Sequence, residues 1–270
     1  MLKKYQKTVF MAAFFSLITT LPLTSFAVPV DVELALLVDV SGSIDTNEYN
    51  TQKQGYINAF RNPALIDNIN NGAIGSIAVT YIEWSGPSQQ QVIVGWTEIF
   101  DTASANDFAN DIDNSFRSFT GNSGTAPGSA LNFSIAQFGT ETGGAIGNGF
   151  ESTRQVIDVS GDGESNSDDN ATAGRDAALL AGIDSINGLP ILNAEEPEID
   201  IWYAQNIIGG DNAFLIVANG FDNFGEIVGR KINREVSAVP EPTTLALLAM
   251  GMLGVIVRRK AMPALSYKHA

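Results

Sequence analysis

Asp39, Ser41 and Ser43 stand two positions apart in the segment VDVSGSID, directly behind an apolar run and with Gly42 between the serines. One carboxylate and two hydroxyls, all oxygen donors, suit a hard divalent cation such as Mg2+. Alternation along the backbone brings the three positions to a common side, and Gly42 permits a tight turn. Softer or nucleophilic chemistry lacks its residues. The chain has no cysteine, which excludes thiol catalysis, and its one histidine, His269, lies in the C-terminal tail. Histidine-based triads and histidine-ligated zinc sites therefore have no source within the body of the protein.

Positioning such a cluster takes a strand ahead of it and a helix behind it. VELALLV, residues 32 to 38, is a continuous apolar run of the kind buried on both faces of a parallel sheet. Asp45 and Glu48 form a capping-box pair, and Tyr49, Tyr56 and Phe60 recur at helical spacing until Pro63. Residues 76 to 84 and 91 to 96 flank a short link and predict an antiparallel hairpin. Phe108, Ile112, Phe116 and Phe119 predict one amphipathic helix, and Leu131, Ile135 and Phe138 another. Further on come a strand at 154 to 160, an Ala-rich helix at 171 to 181 closed by Gly182, and a short strand, INGLPI, that Pro190 places near an edge or end. Trp202 and Tyr203 sit on a helix, AFLIVA (213 to 218) is the last strand, and Phe224, Ile227, Val228 and Ile232 line the final helix. This alternation predicts an α/β fold: a doubly wound, mostly parallel central sheet with one antiparallel edge strand and helices on both faces. Ligands of such sheets bind beyond the carboxyl ends of the strands, where Asp39 emerges. Trp84, Trp96 and Trp202 are expected to complete the core or a sheet edge.

DVSGS resembles the DxSxS signature of the von Willebrand factor type A domain, whose metal-ion-dependent adhesion site (MIDAS) opens with this sequence. The family pattern adds a threonine and an aspartate from later loops. Thr125 in SGTAPGSAL and Asp162 in VIDVSGDG occur in the matching order. The resemblance spans residues 31 to 236, and SGDGESN, INGLPI, IIGGDNAF and FDNFGEIVGRKI look like an uncharacterised bacterial branch of the superfamily. It implies that Ser41, Ser43 and Thr125 supply hydroxyl oxygens to Mg2+, or to Mn2+ or Ca2+, while Asp39 and Asp162 bind directly or through water. It also implies a position left for a carboxylate from a protein or acidic polysaccharide partner.

Two other readings use some of the same atoms. Asp158, Ser160, Asp162, Gly163, Glu164, Asn166 and Asp169 match a twelve-position calcium loop, although position 8 is Ser165, position 12 is Asp169 rather than Glu, and a strand precedes it. A metal-assisted hydrolase would polarise water between Asp39 and Asp162. It would need a general base, and Asp45 and Glu164 fit better as a helix cap and a solvated loop acid. VSGSI also lacks the GxSxG nucleophile elbow, so no enzymatic activity is expected.

The two ends carry different signals. MLKKYQK, then VFMAAFFSLITTLPL, then SFA have the charged, apolar and small-residue order of a secretory signal at residues 1 to 27, with cleavage after Ala27. Residues 243 to 257 are apolar and uncharged, and Arg258, Arg259 and Lys260 follow. As a helix this run reaches about 22 Å, short of a hydrocarbon layer of ~30 Å, while the basic stop favours a single span ending in the cytoplasm. VPEP, an apolar helix and an arginine pair together resemble the PEP-CTERM sorting tail, here residues 239 to 270, which implies an exosortase-type processing enzyme as a partner. The body, residues 28 to 238, is then one domain, first anchored to the inner membrane and afterwards at the cell surface or outside the cell. Seven of the fifteen basic residues lie in the ends, leaving eight basic against thirty acidic groups over residues 28 to 257, a net charge of −22. Such a body repels nucleic acid, attracts cations and stays soluble.

Overall fold

A computed structural model describes residues 27–121, 123–166 and 168–237. The expected signal and the apolar run 243–257 lie outside the described residues, among which no helix is long and apolar enough to cross a membrane. The chain begins with β1 (Val28–Pro29), β2 (Glu33–Asp39), α1 (Thr46–Phe60), α2 (Pro63–Asn70), β3 (Ile77–Trp84), β4 (Gln90–Ile99) and α3 (Thr102–Asn114). It continues through α4 (Pro127–Ile135), β5 (Phe150–Glu151), β6 (Gln155–Gly161), α5 (Ala171–Ala181), β7 (Ser185–Pro190), α6 (Ile199–Asn206), β8 (Gly209–Gly210) and α7 (Phe224–Val236).

The main sheet has the order β4-β3-β2-β6-β7-β8. β2 pairs in parallel with both β3 and β6, β6 pairs in parallel with β7, and β4 lies antiparallel on β3 as the hairpin pattern predicts. At the other edge the two residues of β8 run antiparallel to β7. Because β2 is central and covered on both sides, all seven of its residues are buried, which is why its sequence reads as an unbroken apolar run. Leu34, Leu36 and Val38 pack with Tyr56 and Phe60 of α1, Phe108 of α3 and Val228 of α7. The intervening Ala35 and Leu37 pack on the opposite face with Leu131 of α4, Ala178 of α5 and Tyr203 of α6. Trp84 lies wholly in this second core, with Trp96 and Trp202 partly buried against it.

Local signals set most helix ends. Asp45 accepts from the Asn47 and Glu48 amides while Glu48 reaches back to the Asp45 amide, the capping box expected at the start of α1. Gly182 closes α5 in the left-handed region at φ 115. Two expectations fail. The helix carrying Phe108 and Ile112 stops at Asn114, leaving Phe116 89% exposed and Phe119 packed with Val40, Ile44 and Tyr49. AFLIVA runs parallel to β7 but forms only isolated bridges, Gly188 with Leu215 and Ile191 with Ala218. Gly188 and Leu192 donate to the Phe214 and Ala218 carbonyls, and Pro190, between them, has no N–H to donate.

Four acidic side chains besides those of the candidate site, Glu33, Glu83, Asp158 and Glu235, are buried along the sheet and α7. Lys231 Nζ lies 2.5 Å from both Asp158 Oδ1 on β6 and Glu235 Oε1 on α7, all three at 0% exposure. Burial, with Asp158 beside it, pushes the Glu235 carboxyl up to about 8. At the start of β2, Glu33 accepts from Asn148 and from Ser152 Oγ, and burial with the adjoining Glu141 carboxyl also pushes it up to about 8. Each folded-state value lies above the unfolded one of 4.5, so the native state retains protons that the unfolded chain releases between these values. Unfolding free energy is therefore expected to fall as pH rises from about 5 to 8, and Glu33→Gln to flatten that slope; urea midpoints across the range measure both. Lys231→Met, which leaves two buried carboxylates without their cation, is expected to lower unfolding free energy by about 3–5 kcal/mol in the same assay.

Candidate metal centre

At the carboxyl end of the sheet, β2 delivers Asp39 and β6 delivers Asp162 immediately after its last residue. Asp39 is fully buried and Asp162 nearly so, at 0% and 3% exposure. The Ser41 amide donates to Asp39 Oδ1 at 2.7 Å, which curls the chain after β2 and returns Ser43 toward β6. Ser43 Oγ donates to Asp162 Oδ1 at 2.7 Å, Ser41 Oγ lies 3.2 Å from Ser43 Oγ, and Thr125 Oγ1 donates to Ser41 Oγ at 3.3 Å. The structure thus brings together all five residues singled out in the sequence. Asp39 Oδ2 is buried and has no hydrogen-bond partner among the described residues. A Cβ at Gly161 would stand 2.7 Å from that oxygen and 2.7 Å from the Tyr203 hydroxyl, so the close approach of β6 to Asp39 requires glycine.

Burial, then the neighbouring Asp162 carboxylate, pushes the Asp39 carboxyl up to about 8, against the lowering effect of the Ser41 hydrogen bonds and of Arg117. Asp162 is raised by burial as well, opposed by Ser43 and reinforced by Glu48 and Glu195. Two buried carboxylates with one oxygen open ask for a cation. The contacts among the donors, 2.7 to 3.3 Å, match the edge of about 3 Å in an octahedron built on Mg2+–oxygen distances of about 2.1 Å. The donor set therefore fits a hard divalent ion. Among the described residues no group of three or more His, Cys, Asp or Glu side chains is placed to hold a metal; this cluster has two carboxylates and three hydroxyls.

Supporting contacts that the sequence did not disclose hold the three loops together. Asn166 Oδ1 accepts from the Thr125 amide and the Asn166 amide donates to the Thr125 carbonyl, clasping the β6–α5 loop to the loop before α4. Gly128 and Gly174 let α4 and α5 approach so closely that a Cβ on Gly174 would lie 2.4 Å from the Gly128 carbonyl oxygen. The Asn193 side chain donates to the Asp162 carbonyl at 2.7 Å. Arg117 Nη2 donates to the carbonyls of Val40, Ser41 and Ile44, and its guanidinium lies 5.3 Å from the Tyr49 ring centre. Beside this loop is a cleft of about 590 Å3 lined by Gly42, Asp45, Tyr49, Arg117 and Thr120, among others.

The calcium-loop arrangement does not form. Asp158 and Ser160 lie inside β6, where Asp158 meets Lys231 and Ser160 accepts from the Tyr56 hydroxyl. Asp169 accepts from the Gly128 and Ser129 amides and from Ser129 Oγ, capping α4, whose own N-cap, Ala126, has no side chain able to do so.

A mostly parallel sheet with helices on both faces, an antiparallel hairpin edge and an oxygen-donor cluster at the carboxyl end of the central strands is the architecture of a von Willebrand A domain. Residues 29–240 match the family model described as "Protein of unknown function (DUF1194)", and the chain belongs to that family. Residues 238–260 match the PEP-CTERM protein-sorting motif, which indicates export and a membrane-anchored tail. No curated protein matches the chain. Among solved structures, proximal thread matrix protein 1 from the mussel byssus, with a zinc-occupied MIDAS motif, is 17% identical over 77% of this chain and 46% of its own, with a TM-score of 0.52. The pilus adhesin SpaC from Lactobacillus rhamnosus GG is 15% identical over 77% of this chain and 30% of its own, also with a TM-score of 0.52. A von Willebrand factor type A protein from Catenulispora acidiphila matches at 14% identity over 77% of this chain and 43% of its own, with a TM-score of 0.49. This chain spans less than half the length of these structures.

Asp39→Asn keeps an acceptor for the Ser41 amide and removes a carboxyl whose ionised form is costly to bury. Without divalent ions this variant is expected to unfold at a temperature equal to or above that of the unaltered protein, and to lack the rise in Tm expected of the latter in Mg2+. Thermal unfolding with EDTA and with 10 mM Mg2+ measures both.

Proposed function

We propose that this domain is an exported, metal-dependent adhesion or interaction module that captures an acidic partner through a MIDAS-type divalent ion, Mg2+ or alternatively Mn2+ or Ca2+. The observation that carries the reading is the buried Oδ2 of Asp39, unpartnered among the described residues, beside a hydrogen-bonded chain of three hydroxyls that ends on Asp162. Ser41, Ser43 and Thr125 are neutral donors, so they hold an ion without neutralising it, while Asp39 and Asp162 supply the charge that retains it. Bound there, a divalent ion offers a Lewis-acidic position to a carboxylate oxygen from outside. Arg117, Asn166 and Asn193 fix the three loops, so little ordering remains to be done on binding.

Supporting the adhesive reading, the fold is shared with a pilus adhesin and with a byssal matrix protein that carries zinc at its MIDAS motif. A non-enzymatic role agrees with Asp45, the nearest candidate base in sequence, being engaged as the cap of α1. In this reading the signal is removed after Ala27, residues 243 to 257 hold the domain at the inner membrane, and an exosortase-type protease acts near the sorting motif to place it at the cell surface or outside. Isothermal titration of Mg2+, Mn2+ and Ca2+ is expected to show one site per chain, weakened at least ~10-fold in Asp39→Ala and in Thr125→Ala. Equal affinity in both variants would remove the proposed ion shell.

A further inference from the structure

Carboxylates on two loops flank the ion site, and among the described residues none of them is in an ion pair. Asp45 follows Ser43 by two residues, and Glu48 folds back onto the Asp45 amide with its charge acting on Asp162. On the opposite side Asn193 hooks its loop to Asp162: Nδ2 donates to the Asp162 carbonyl at 2.7 Å, and Oδ1 accepts from the Glu195 and Glu196 amides at 2.8 and 2.7 Å. Glu195 acts on Asp162, and both Glu195 and Glu164 act on Glu196. Among the described residues the ion pairs involve Arg61, Arg175, Arg230 and Lys231, and none includes Asp45, Glu48, Glu164, Glu195 or Glu196. The cation beside the loop, Arg117, donates to backbone carbonyls. Asp162, on which Glu48 and Glu195 act, acts in turn on the wholly buried Asp39, whose Oδ2 has no partner among the described residues.

We propose that this acidic collar selects a basic protein surface presenting one isolated carboxylate, and rejects polyanions such as uronic-acid polysaccharides. The inference rests on the ion-site reading above and narrows it. A divalent ion balances Asp39 and Asp162 and leaves the five collar carboxylates without an ion-pair partner among the described residues. A polyuronate brings further negative charge against each of them, whereas lysine or arginine side chains flanking a single Glu or Asp meet complementary charge. Screening by salt acts on the exposed collar more than on the buried centre, so the preference weakens at high ionic strength while the ion-dependent contact persists.

Three probes test this on the full chain in 5 mM Mg2+: a peptide with one Glu among lysines and glycines, the same peptide with the lysines replaced by glutamates, and polygalacturonate. Fluorescence anisotropy is expected to show the lysine-flanked peptide binding at least ~10-fold tighter than either of the others. EDTA or replacement of its Glu by Gln is expected to weaken it by a similar factor. Glu195→Lys combined with Glu196→Lys is expected to reverse the preference toward the acidic probes. Polygalacturonate or the glutamate-rich peptide binding as tightly as the lysine-flanked one, in an EDTA-sensitive manner, would overturn the collar proposal while leaving the ion site standing. Tight binding of the lysine-flanked peptide that survives both EDTA and loss of its Glu would also overturn it, reducing the collar to a general cation-binding surface. Absence of metal uptake in the unaltered chain would defeat the ion-site reading and this inference together.

Discussion

A carboxylate held in the interior with one oxygen unmatched is the constraint on which this molecule turns. β2 is paired on both sides and covered on both faces, so whatever residue ends it is withdrawn from water, and that residue is Asp39. The chain satisfies Oδ1 with the Ser41 amide and leaves Oδ2 open. An isolated buried charge is costly, and a fold keeps it either as a protonated acid or as an anion completed by a cation. The raised carboxyl of Asp39 describes the first state, and the surrounding hydroxyls prepare the second.

Preparation is visible in how little of the rim is free to move. The loop after β2 is fastened through its carbonyls to Arg117, the loop before α4 to Ser85 and Asn166, and the Asp162 carbonyl to Asn193. None of these four groups contributes a charge to the proposed ion shell. They act through backbone atoms and leave the chemistry to three hydroxyls and two carboxylates. Neutral donors held in advance suit capture of a partner's carboxylate, because an ion surrounded by anions would have little attraction left for another.

Much of this was legible in the sequence because burial on both faces writes itself as uninterrupted apolar runs. β2, β6 and the β3–β4 hairpin stand where the residue pattern places them, and the Asp45–Glu48 cap starts α1. The five donors were legible as a family pattern, since their spacing alone says nothing about distant loops meeting. What escaped depended on side chains acting across the fold. Asn166 and Asn193 look like ordinary loop residues until their partners are known. Asp158 and Asp169 read as ligands of one calcium loop, yet one is buried against Lys231 and the other caps α4. The strand expected at 213 to 218 failed for a local reason, the missing donor at Pro190 in its neighbour. Phe116 kept helical spacing with Ile112, but the helix had already ended at Asn114.

The two central strands show three answers to one problem. At the start of β2, Glu33 is surrounded by hydrogen-bond donors from Asn148 and Ser152. In the middle of β6, Asp158 is matched by a lysine that the last helix carries into the core, shared with Glu235. At the carboxyl end, Asp39 has, among the described residues, neither a donor for Oδ2 nor an ion pair, although Arg117 stands close enough to act on it. That arginine donates to three carbonyls of the adjoining loop, so its charge steadies the site without closing it. The first two acids are completed from within the chain, and the third is left open at the rim where loops meet solvent. A fold that carries Lys231 on its last helix into contact with Asp158, yet leaves Asp39 Oδ2 without a partner among the described residues, has the arrangement that the proposed external cation would complete.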